Sequence, residues 1–117
     1  MKKLILLFTV LAFIGCKEEP KEVYNYDDTT VVDGIRRLKH DNSSVTGTVK
    51  KWHDNGWLEY ERNYKDGELN GINYRWYENG HLRSEETYKD NKRNGVQKLW
   101  YENGQLKFDG CLLYTSP

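Results

Sequence analysis

After an apolar run at its start, the chain sets its large hydrophobic side chains at a fixed interval among polar ones. Trp52, Trp76 and Trp100 are 24 residues apart, as are Gly47, Gly71 and Gly95, and Leu58, Leu82 and Leu106. Asn55-Gly56, Asn79-Gly80 and Asn103-Gly104 keep the same phase, and Tyr64-Lys65-Asp66 recurs as Tyr88-Lys89-Asp90. Chance does not hold glycine, tryptophan, leucine and tyrosine in one register, so the period marks a structural repeat. Within a unit, 71–77 is extended and aromatic, Glu78-Asn79-Gly80 is a hairpin signal, and 81–88 returns as a second strand. Lys65-Asp66-Gly67 and Lys89-Asp90-Asn91 supply a second turn, with Asn91 the next-best residue to glycine at positive φ. The predicted fold is all-β: an antiparallel meander of β-hairpin repeats in one open sheet. Its units fall at 47–70 and 71–94, with a partial one at 95–110.

Strand alternation decides which residues share a face. A two-residue Asn79-Gly80 loop would split Trp76 from Leu82. A three-residue Glu78-Asn79-Gly80 loop, with Gly80 left-handed and a bulge, sets Trp76 opposite Leu82. Stepping by two then predicts one face carrying Trp52, Leu58, Tyr64, Trp76, Leu82, Tyr88, Trp100 and Leu106, with Gly56, Gly80 and Gly104 in the turns. That face is expected to pack repeat on repeat, its three tryptophans stacked in a row. Arg75, Tyr77, Arg83 and Tyr101 project to the other side, where the fold does not call for them. Tyrosine and arginine combine contact area with hydrogen bonding, so these four are the candidate partner-binding residues.

The segments before the repeats read differently. Lys2 and Lys3 precede residues 4–14, which are apolar apart from Thr9, and Gly15-Cys16 follows. This is a signal peptide in length and flanks, too short to span a membrane. Phe13-Ile14-Gly15-Cys16 resembles a bacterial lipobox, with Phe13 where leucine is commonest. The resemblance implies that 1–15 are removed and that Cys16 carries the lipid anchor. Lys17-Glu18-Glu19 resembles the export signal that sends lipoproteins to the outer face of the outer membrane. Residues 16–30 are polar and charged, the composition of a flexible tether. Residues 31–46 mix Val31, Val32, Ile35 and Leu38 with turn formers, which predicts one or two strands capping the array.

Composition narrows the chemistry. The 117 residues hold 18 Lys plus Arg against 18 Asp plus Glu and have a mean hydropathy of -0.93, so there is room for one small domain. That balance carries no basic footprint for nucleic acid. His40, His53 and His81 do not recur in register and form no zinc-like spacing, so no metal or other cofactor is expected. Neither a nucleophile elbow nor a phosphate loop is present, and no enzymatic activity is expected. Cys16 and Cys111 sit in contexts too different for a disulfide framework.

Trp76-Tyr77-Glu78-Asn79-Gly80-His81-Leu82 and Tyr64-Lys65-Asp66-Gly67-Glu68-Leu69-Asn70-Gly71 resemble the unit of the MORN-repeat-variant family. Val45-Thr46-Gly47 resembles the lead-in of such proteins, and the first unit departs from the pattern with His53-Asp54. Bacterial relatives are often catalogued as antitoxin components, which implies a protein partner. The aromatic hairpins also resemble choline-binding repeats, which implies a glycan or cell-wall ligand as the alternative. Past Gly110 the period is lost, and residues 111–117 resemble translated adapter sequence, a suspected non-native tail. The expected function is a non-enzymatic, envelope-anchored module that binds a protein, held at the membrane by its lipid.

Overall fold

The computed structural model describes residues 21–112. The signal reading, Cys16, Lys17-Glu18-Glu19 and residues 113–117 of the suspected tail lie outside the described residues. The described strands are β1 (Val23–Asn25), β2 (Thr29–Val32), β3 (Ile35–Leu38), β4 (Gly47–Trp52), β5 (Leu58–Lys65), β6 (Glu68–Leu69), β7 (Gly71–Trp76), β8 (Leu82–Lys89), β9 (Lys92–Trp100) and β10 (Leu106–Leu112). One open sheet runs β1-β4-β5-β7-β8-β9-β10, with β6 on β5, and β2-β3 form a separate hairpin. All pairings in the large sheet are antiparallel except β1 on β4.

Turn chemistry fixes this meander. Tyr77 N–H donates to the His81 carbonyl and Gly80 N–H to the Tyr77 carbonyl, closing a three-residue loop with Gly80 at φ 91°. Gly104 takes the same conformation at φ 94°. The second turn is a two-residue loop with both residues left-handed, Asp90 at φ 51° and Asn91 at φ 69°. That geometry matches strand twist and suits Asp, Asn and Gly.

The face assignment needs correction. Arg75 opposes Ser84 while Trp76 opposes Leu82, so Arg83 is an extra residue on the returning strand. Glu59 and Lys107 occupy the same place in the other two hairpins. An extra residue resets the alternation of everything beyond it. Trp76 and Leu82 do pair, but Ser84, Glu86 and Tyr88 pair with Arg75, Asn73 and Gly71 and take their face instead. Tyr64, which pairs with Gly47, likewise lies opposite the tryptophans. Nor do the tryptophans form a stack. Trp76 stacks on Tyr74 of its own strand, with centroids 5.9 Å apart, and Trp52 is 44% exposed. No Trp–Trp ring contact occurs among the described residues.

The core sits at one end of the sheet. Val45, Val49 and Tyr64 are buried, with Tyr24, Tyr26, Leu38 and Leu69 packed around them. Residues 23–30, which composition assigns to a tether, form β1, a 3-10 turn at Tyr26–Asp28 and the start of β2. Their aromatic side chains are the reason: Tyr26 meets the Tyr60 ring edge-on at 5.8 Å. The β2-β3 hairpin packs over the first repeat. Buried Arg36 donates from Nε to the Tyr64 hydroxyl at 3.1 Å and from Nη1 to Thr29 Oγ1 at 2.7 Å. Its guanidinium lies over the Tyr26 and Tyr64 rings at 5.2 and 5.5 Å. Hydrogen bonds and π-faces together make burial of that cation tolerable.

Candidate functional site

The face that is core in the first repeat changes character in the next two. Where β4 carries Val49, β7 and β9 carry Asn73 and Gln97; where β5 carries Tyr60, β8 carries Ser84. Asn73, Ser84 and Gln97 are nonetheless buried. The lead-in is fastened to the first repeat, through Arg36 N–H to the Gly67 carbonyl and Gly67 N–H to the Val45 carbonyl. Beyond it the face opens as a polar cleft of about 290 Å³.

Arg75 and Ser84, directly paired across β7 and β8, line this cleft, with Glu86, Gln97 and Leu99 beside them. Gln97 Nε2 donates to Glu86 at 2.9 Å, Arg93 Nη2 stands 3.7 Å from the same carboxylate, and the Tyr88 hydroxyl donates to it at 3.4 Å. Three donors thus converge on Glu86. The Tyr88 hydroxyl, which Arg93 Nε reaches, and the Glu86 charge hold the Arg93 guanidinium above its ordinary pKa. Arg83 and Lys107, the extra residues of their hairpins, also line the cleft. Arg83 lies over the Tyr77 ring at 5.4 Å and Lys107 over the Tyr101 ring at 5.6 Å.

Of the four candidate residues, the cleft gathers Arg75, Tyr77 and Arg83; Tyr101 is half exposed outside its lining. Tyr77 is not free of structural duty, because its hydroxyl donates to the Trp100 carbonyl at 2.7 Å. It belongs to a ladder between successive turns. Asn55 Nδ2 donates to the Glu78 carbonyl and Asn79 Nδ2 to the Glu102 carbonyl, while His53 Nε2 bonds the Trp76 carbonyl. His81 Nδ1 bonds the Glu102 carbonyl, which gives two of the three histidines a structural use. Sequence reasoning missed Ser84, Glu86, Arg93, Gln97, Leu99 and Lys107. Their types do not recur at the period, and only the bulge position places them with Arg75. Opposite the cleft, Trp57, Leu58, Trp76 and Gly80 bound an apolar hollow of about 280 Å³. No group of His, Cys, Asp and Glu suited to a metal occurs among the described residues.

A family model described as MORN repeat variant matches residues 45–66, 69–90 and 93–111, just over half of the chain. The chain belongs to the MORN repeat variant family. Each MORN match opens two residues before Gly47, Gly71 or Gly95, so the family unit keeps the phase of the hairpins. The third runs to Cys111, past Gly110 where the period is lost. Cys111 and Leu112 also continue β10 in register, opposite Val96 and Gly95. No curated protein and no solved structure matches the chain. MORN repeats generally serve as protein- or membrane-interaction modules.

Proposed function

We propose that this chain is a non-enzymatic module that binds a protein in the bacterial envelope through the cleft face of its second and third repeats. The observation that carries the reading is the change along one face, sealed by the lead-in over the first repeat and open over the next two. An array that needed only stability would close that face as it does at Tyr64. The opening instead presents arginines beside a tyrosine, the residue types that dominate interfaces. A lipid on Cys16 would hold the module at the outer membrane, with surface exposure resting on Lys17-Glu18-Glu19; Cys16→Ala should abolish fatty-acid labelling. The antitoxin label of bacterial relatives fits a protein partner, and no cofactor or nucleic acid enters the reading.

The test compares envelope proteins co-purified by the full-length chain, by Arg83→Glu and by Lys98→Glu. Lys98 pairs with Glu85 and Asp109 on the other face. A partner lost with Arg83→Glu and kept with Lys98→Glu supports the reading. Equal loss in both, or none in either, overturns it. A second reading, glycan binding, is favoured by the hollow beside Trp57, which is 57% exposed. Sedimentation with purified peptidoglycan that is sensitive to Trp57→Ala and indifferent to Arg83→Glu would select it.

A further inference from the structure

Two donors at the floor of the cleft are unused. Arg75 Nε and Ser84 Oγ are buried and have no hydrogen-bond partner, and Ser84 as a whole is 4% exposed. They belong to directly opposed residues of β7 and β8, on one face. Buried polar groups are nearly always satisfied, so each such atom calls for an explanation. A guanidinium Nε can only donate, so what is missing beside it is an acceptor.

Charge points the same way. Glu86 is the one carboxylate among the cleft's lining residues, and Gln97, Tyr88 and Arg93 already occupy it. Arg75, Arg83 and Lys107 form no ion pair among the described residues. The cleft therefore offers three uncompensated cations around two free donors. In the first repeat the corresponding surface takes the opposite guest, with the Arg36 cation of the lead-in set between Tyr26 and Tyr64. Asn73 and Ser84 stand where the first repeat has Val49 and Tyr60, so the cleft floor is polar where the first repeat is apolar and aromatic.

We propose that the cleft recognises an acidic segment of the protein partner, one Asp or Glu carboxylate accepting from Arg75 Nε and Ser84 Oγ. Arg83 and Lys107 attract the neighbouring negative charge from above their tyrosine rings. A carboxylate has two oxygens and accepts two donors at once, which suits two unpartnered donors on directly opposed residues. Partial desolvation at the floor strengthens those bonds, whereas the rim cations act through the salt-dependent field. The proposal rests on the protein-binding reading above and gives that partner its chemistry.

The test titrates full-length chain, purified in a nonionic detergent, against a fluorescein-labelled peptide of alternating glutamate and glycine and against its glutamine counterpart. The glutamate peptide is expected to bind about tenfold or more tightly than the glutamine one, and to weaken as sodium chloride is raised. Arg75→Gln and Ser84→Ala should each weaken it at least about fivefold, with Lys98→Gln, an equal loss of positive charge on the other face, leaving it unchanged. Ser84→Ala removes one oxygen at a site with no partner, so its fold should survive, and circular dichroism checks this for each variant. Equal binding of both peptides overturns the proposal, as does equal weakening by Lys98→Gln. Displacement of the peptide by inorganic phosphate at comparable concentration would assign the donors to a free anion and overturn the peptide reading. If the peptide fails while Arg83→Glu still abolishes partner capture, protein binding stands and only the acidic chemistry falls.

Discussion

Gly67 offers a direct measure of how tightly the lead-in hairpin is fastened to the first repeat. It sits at φ 84°, and a methyl group there would clash with Ile35 Cγ2 and meet the Arg36 carbonyl oxygen at 3.0 Å. Gly56, at φ 93° in the first hairpin turn, has nothing within 4 Å of the same position. Both alanine variants carry the left-handed penalty, about 1–2 kcal/mol. Only Gly67→Ala adds an overpacking cost, about 1–3 kcal/mol, since the obstacle is partly backbone and cannot swing aside. Gly67→Ala should thus be less stable than Gly56→Ala by roughly 1–3 kcal/mol, a difference of about 1 M in urea midpoint for a domain of this size. Tryptophan fluorescence through a urea titration reads it, with Gly56→Ala as the internal control for backbone strain. Two variants of equal stability would show that β3 does not rest on the Asp66-Gly67 turn, and the sealed end of the sheet would lose its basis.

Burial pushes the Tyr60 hydroxyl up from 10.0 to about 12. The folded state thus favours the neutral phenol: its contribution is intact below pH 10 and is lost as pH rises from 10 towards 12. That loss should approach 2–3 kcal/mol, as a rough estimate, and Tyr60→Phe should flatten the alkaline limb in urea midpoints taken across this range. Asn79→Ala removes the donor to the Glu102 carbonyl and the acceptor for His81 N–H. A cost of about 1 kcal/mol, read as a fall of several degrees in Tm, is expected from the exposed turn. An unchanged Tm would deny the ladder a role in holding successive turns together.

The period, the strand order of the repeats and both turn types were legible because they depend on glycine, asparagine and aspartate at fixed phase. Asn91 in the left-handed region is an instance where local chemistry alone sufficed. The faces were not legible. Glu59, Arg83 and Lys107 are all charged and look like ordinary exposed strand residues, yet each is the unpaired residue that reverses the alternation of its strand. The recurring Trp and Leu positions drew the core to the wrong side, while the buried positions vary in type from Val49 to Asn73 to Gln97. The ordered part of the tether had a signal that composition averaged away, namely Tyr24 and Tyr26 at alternate positions. Arg75, Tyr77 and Arg83 line the cleft on the face away from Trp76, although Trp100 also reaches its lining. A step of two from Leu82 puts Ser84 and Glu86 with Trp76, and the extra residue Arg83 moves both to the cleft side.

Photo-crosslinking from two positions of β9 tests the central claim most directly. Leu99 lines the cleft, whereas Val96 lies three residues back on the opposite face and is 41% exposed. With a benzophenone side chain placed at each in turn in the full-length chain in cells, a discrete protein adduct is expected from position 99 and not from position 96. Arg83→Glu should remove that adduct. An adduct formed only from position 96, or formed from position 99 regardless of Arg83→Glu, would contradict the assignment of the cleft as the binding surface.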